Sequence, residues 1–135
     1  MSKKNKPDSV STALTLLWIS LAVGVLNSII NFSNSVDLTK ASGFGSGFVI
    51  FVTLFTLVFM AFFIYLIGEG KNWARITFLV LYIIGIPFSV LPAIMLILTN
   101  PISAMFTVGI GILELIALIF LFQKTSSDWF HSMKK

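Results

Sequence analysis

The sequence predicts an all-α membrane protein, a single transmembrane domain over residues 1–135 with four helices in an up-down-up-down bundle and both termini cytoplasmic. Three observations carry that expectation: an extreme apolar composition, three long charge-free runs, and a one-sided distribution of basic residues. Of 135 residues, 57% are hydrophobic and only 10% charged, with a mean hydropathy of +1.01. Soluble domains carry about 25% charged residues. A soluble core of this size could not hide 14 Phe without exposing large apolar patches.

The charge-free runs are Ser9–Val36, Ala41–Gly68 and Ile76–Leu113. The last has 38 residues, too many for one ~30 Å crossing at ~1.5 Å per residue. Thr99-Asn100-Pro101 divides it, because Asn favours the N-cap and Pro the first helical position. Spans are therefore expected near 11–32, 47–67, 76–98 and 101–122, with 123–135 as a cytoplasmic interfacial tail. The first span follows Lys3, Lys4 and Lys6, as a signal peptide would. It is longer than a signal core of 7–15 residues and has no convincing cleavage site, so a retained helix is expected.

Eight of the nine basic residues lie in the N-terminal tail (Lys3, Lys4, Lys6), the second connection (Lys71, Arg75) and the C-terminal tail (Lys124, Lys134, Lys135). Only Lys40 lies in the other two connections. The positive-inside rule then puts both termini and the Gly68–Arg75 loop in the cytoplasm. The net charge of +4 is thus orientation chemistry, and nucleic acid is not an expected partner. The loop residues Lys71, Asn72, Trp73 and Arg75 belong to this inner face, with Trp73 and Trp129 at the membrane boundary, where amphipathic rings prefer to sit. Trp129, Phe130 and Met133 are expected on one side of a short turn in the headgroup region.

The connection Ser33–Ser46 is rich in Gly and Ser and is expected to be mobile. Its Gly43-x-Gly45-x-Gly47 has no preceding strand and no place in a phosphate loop. Phe48, Phe51, Phe55, Phe59 and Phe62 recur at helical spacing, which fits packing or lipid contact. Pro87 and Pro92 each remove a backbone hydrogen bond from the third span, so a kink is expected there.

Glu114 is the only charge deep inside a span, where a carboxylate costs at least ~2.5–3.5 kcal/mol. It should face other helices and be either partnered or protonated. Ser103, Thr107, Gly111 and Glu114 share one helix face, and Ser20, Gly24, Asn27 and Asn31 share another. Small and amide-bearing stripes let membrane helices approach and hydrogen-bond. Counting inward from the helix ends pairs Ser20 with Glu114, Asn27 with Thr107, and Asn31 with Ser103. Tyr82 is a second candidate partner for Glu114 at similar depth. This intramembrane polar stripe fits helix–helix adhesion, a proton or cation site, or recognition of another membrane protein.

No catalytic constellation is present: a second intramembrane acid is missing, the spans hold no Ser-His or Cys-His couple, and the single His131 lies in the tail. Without cysteine, thiol chemistry and Cys metal sites are excluded. Neither an enzyme, a metal nor a cofactor is expected. The expected partners are the lipid bilayer and either another membrane protein or a second copy. A non-enzymatic accessory subunit or an immunity-type inhibitor of a toxin fits best. The alternative is a small proton-coupled exporter using Glu114.

The Gly70-Lys-Asn-Trp-Ala-Arg75 loop and the Ser127-Asp-Trp-Phe130 ending together resemble a pattern in small four-helix inner-membrane proteins of bacteria. The resemblance runs from the end of the second span to the C-terminus. It implies a bacterial inner (cytoplasmic) membrane and the same topology, and it brings no catalytic residue to carry over.

Overall fold

The computed structural model describes residues 6–133, with the side chains of residues 38 and 92 outside the description. Lys3, Lys4, Lys134 and Lys135, which contribute to the charge asymmetry, therefore lie outside the described residues. The chain is all-helical, with six helices in the described part: α1 Asp8–Ile30, α2 Phe32–Ala41, α3 Ser46–Gly68, α4 Asn72–Thr99, α5 Pro101–Leu121 and α6 Lys124–Ser132. Four of them, α1, α3, α4 and α5, are long and apolar enough to cross a membrane.

Helix ends follow local chemistry. Asn100 Oδ1 accepts from the Ser103 amide at 3.3 Å, with Pro101 at the first helical position, so the long apolar run breaks where its capping signal stands. Two glycines end helices by adopting left-handed backbone, Gly43 (φ 90°) after α2 and Gly70 (φ 84°) after α3. In each case the next residue's amide reaches back: Phe44 to the Thr39 carbonyl at 2.9 Å, Lys71 to the Leu66 carbonyl at 3.1 Å. These are Schellman closures. They account for one difference from expectation. The first connection contains the helix Phe32–Ala41, because Gly43 acts as a stop signal and Gly45 as the α3 N-cap.

The long helices pack in a closed ring, α1 on α3 and α5, and α4 on α3 and α5, with α1 and α5 in the most extensive contact. Val10, Ala13, Leu17 and Ser20 are buried on α1 at spacings of three and four, the signature of one packed face. Ala13 and Ala117 are both fully buried, and small side chains allow such close approach. The core lies at one end, where Leu17, Ile64, Ile67, Phe78, Leu118 and Phe130 cluster. The other end is open: from Tyr82 to Thr99, α4 buries no described side chain. Phe51, Phe55, Val58 and Phe62 on α3 also face outward, a surface suited to hydrocarbon.

Candidate functional site

Three polar clusters interrupt the apolar bundle. The first joins α1 to α5. Asn31, in the turn between α1 and α2, accepts from Ser103 Oγ at 2.6 Å and from Asn100 Nδ2 at 3.5 Å. Its own Nδ2 donates to the carbonyl and the side-chain oxygen of Asn27, at 2.9 and 2.7 Å. One amide thus links four residues, itself included, in a single hydrogen-bond network. The neighbouring members of the stripe do otherwise. Ser20 is buried but donates to the Leu17 carbonyl of its own helix at 2.7 Å. Thr107 makes no side-chain hydrogen bond with another described residue, and Asn27 turns to Asn31 instead.

The second cluster surrounds Glu114. Its carboxylate has no hydrogen-bond or ion-pair partner among the described residues. It lies between two cavities. A cleft of about 330 Å³ between α1, α3 and α5 carries Ser20, Asn27, Ser28, Thr53 and Thr56 beside Glu114. A smaller cavity of about 180 Å³ between α3, α4 and α5 is walled by Phe59, Met60, Phe63, Phe78, Tyr82 and again Glu114. Tyr82 is therefore Glu114's neighbour across the smaller cavity, while its hydroxyl donates to the Gly111 carbonyl at 2.7 Å. An apolar cleft of about 390 Å³ between α1 and α3, lined by Val25, Ile29, Phe32, Ile50 and Leu54, shares Ser28, Thr53 and Leu57 with the polar one.

The third cluster closes the packed end. Arg75 is buried, with 3% of its surface exposed. Its Nη1 donates to the Leu121 carbonyl at 2.9 Å and to Ser127 Oγ at 3.1 Å, and its Nη2 donates to Asn72 Oδ1. The guanidinium stacks between the rings of Phe122 (4.4 Å) and Phe130 (4.6 Å). Leu121 ends α5, so the cation meets the negative end of a helix dipole. The Gly70–Arg75 loop and the Ser127–Phe130 ending thus touch each other through Arg75 and Ser127. Lys71 stays exposed, and Trp73 is half-exposed with its ring edge against Phe63 at 6.1 Å. Helix α6 folds under the bundle. Trp129 and Phe130 are buried, and Ser126 bonds Ser9 Oγ and the Phe120 carbonyl, both at 2.6 Å.

Sequence reasoning gave Arg75 an orienting role only; its signal was the set of aromatic residues in the tail, which could shelter a guanidinium. It also passed over Ser28, Thr53 and Thr56. The last two stand three apart in an otherwise apolar α3, a spacing that puts them on one face.

Fold and site together define a class: an all-helical protein with four helices of membrane-crossing length and a carboxylate held between them. No family model matches the chain, nor does any curated protein or solved structure.

Proposed function

We propose that this is a non-enzymatic inner-membrane protein of bacteria that binds a helix of another membrane protein, as an accessory subunit or an immunity-type inhibitor of a toxin. The long helices alternate in direction across the bilayer, and both termini and the Gly68–Arg75 loop are cytoplasmic. The basic asymmetry supports this orientation, and the resemblance carried by the Gly70–Arg75 loop and the Ser127–Phe130 ending supports the bacterial membrane.

The observation that carries the reading is the carboxylate of Glu114, which has no hydrogen-bond or ion-pair partner among the described residues and lines an open cleft. A charged group within a membrane span is paired with something. A partner helix lying in the α1–α3 cleft meets the apolar stretch first and the Ser28, Thr53 and Glu114 groups beyond it.

The test is site-specific photo-cross-linking in cells. A photoreactive residue at Leu57, inside the cleft, should give one discrete protein adduct that Glu114→Leu removes. The same residue at Val58, on the exposed face, should give none. Lipid adducts alone at both positions would end the proposal. A second reading, a small proton-coupled exporter, is favoured by one feature: the same carboxylate reaches cavities on two sides.

A further inference from the structure

We propose that the cavity between α3, α4 and α5 is a binding site for a lipophilic organic cation of the quaternary ammonium class, held by the Glu114 carboxylate and the rings of Phe59, Phe63, Phe78 and Tyr82. The site shares Glu114 with the reading above but uses a different cavity, so the two stand or fall separately.

The wall chemistry is selective. Aromatic faces carry negative charge density and attract cations, most strongly where water is excluded. Phe63 and Phe78 are buried, with 5% and 6% of their surfaces exposed, and Phe59 leans on Phe63 with ring centroids 4.8 Å apart. Four rings and one carboxylate, with Met60 and Leu81, line the cavity of about 180 Å³. The Tyr82 hydroxyl, the cage's one other polar side-chain group, is committed to the Gly111 carbonyl.

That commitment excludes the common alternatives. Ca²⁺ takes six to eight oxygen ligands and Zn²⁺ three or four His, Cys or carboxylate ligands, and the cavity offers one carboxylate. A primary ammonium needs acceptors for three N–H groups. A quaternary ammonium has no N–H and loses little on leaving water for aromatic faces. Met60, soft and unbranched, can adjust to its shape. The larger cleft carries four hydroxyls and the Asn27 amide beside Glu114 and has no aromatic ring in its lining, which assigns the cation to the aromatic side of Glu114.

The experiment uses the full chain in nanodiscs with benzyltrimethylammonium as the probe, titrated calorimetrically against empty discs. Wild type should bind saturably at one site per chain. Glu114→Gln keeps the size and removes the charge, and should weaken binding at least tenfold. Phe78→Leu keeps apolar bulk and removes the ring face, and should weaken it about three- to tenfold. Tyr82→Phe keeps the ring and should stay within about twofold. Neopentylbenzene, the uncharged carbon analogue, should not compete. Absence of saturable binding to wild type overturns the proposal. So does equal affinity in folded Glu114→Gln, or competition by the neutral analogue. If Glu114→Gln loses its helical circular dichroism, Phe78→Leu decides, and unchanged binding there rejects the cage.

Discussion

Arg75 donates from Nη1 to the carbonyl of Leu121 at 2.9 Å, across 46 positions of sequence. The bond fastens the first turn of α4 to the last turn of α5, while the rings of Phe122 and Phe130 enclose the guanidinium. A residue that serves as an orientation charge by sequence is the centre of the packed end. Arg75→Ala leaves the Leu121 carbonyl and the Asn72 oxygen without this donor and empties the space between two rings. It should cost about 2–4 kcal/mol, read as a lower midpoint of unfolding in detergent. Arg75→Lys should restore only part of it, because an ammonium cannot stack or fork. Full restoration by Lys would show that charge alone matters.

At the other end of α1, Asn31→Ala should cost more than Asn27→Ala. Asn31 engages Ser103, Asn100 and Asn27 together, whereas the Asn27 side chain serves Asn31. Membrane hydrogen bonds contribute about 0.6–2 kcal/mol each, so a difference of about 1 kcal/mol is expected in unfolding midpoints. Thr107→Val should be near neutral, since no described side chain bonds the Thr107 hydroxyl. A large loss for Thr107→Val would overturn this picture of the α1–α5 seam.

Gly70→Ala should destabilise more than Gly43→Ala. Both glycines hold left-handed backbone, which costs an L-residue about 1–2 kcal/mol. A Cβ at Gly70 would also stand 2.9 Å from Met133 Cγ, whereas one at Gly43 meets nothing within 4 Å. Met133→Ala in the Gly70→Ala background should recover only part of the difference between the two, measured as unfolding midpoints, because the Cβ of residue 133 still stands 3.0 Å from the new methyl.

Orientation is testable with single cysteines, since the chain has none. Ser42→Cys should react with an impermeant thiol reagent in intact cells, and Thr125→Cys only after permeabilisation. Both positions are exposed. Ser126 is unsuitable, because it is fully buried and would be silent from either side. Labelling of Thr125→Cys alone in intact cells reverses the proposed topology.

Glu114 separates adhesion from recognition. Glu114→Gln preserves shape and hydrogen-bonding capacity, so the bundle should fold with a midpoint within about 1 kcal/mol of wild type. Glu114→Leu should fold at least as well, since it removes a polar group with no hydrogen-bond or ion-pair partner among the described residues. It should nonetheless lose the cross-link at Leu57. Proton flux in vesicles that wild type supports and Gln abolishes would favour the exporter instead.

The sequence by itself determined the number of membrane-length helices and, to within about four residues, where they lie. Those features are local: charge-free length and the Asn100-Pro101 cap. The α1–α5 face was legible too, because Asn31 and Ser103 fall on regular helical stripes. What only the tertiary structure decided is which polar group meets which. Depth counting brought Tyr82 level with Glu114, but helix rotation gave its hydroxyl to Gly111 and left the carboxylate between two cavities. Arg75 could be counted as a charge but not seen as buried, since Phe122, Ser127 and Phe130 reach it only when α6 turns back under the bundle. A helix's sequence fixes the face each side chain occupies. The neighbour that face finds depends on the rotation and tilt of every other helix, which packing settles collectively.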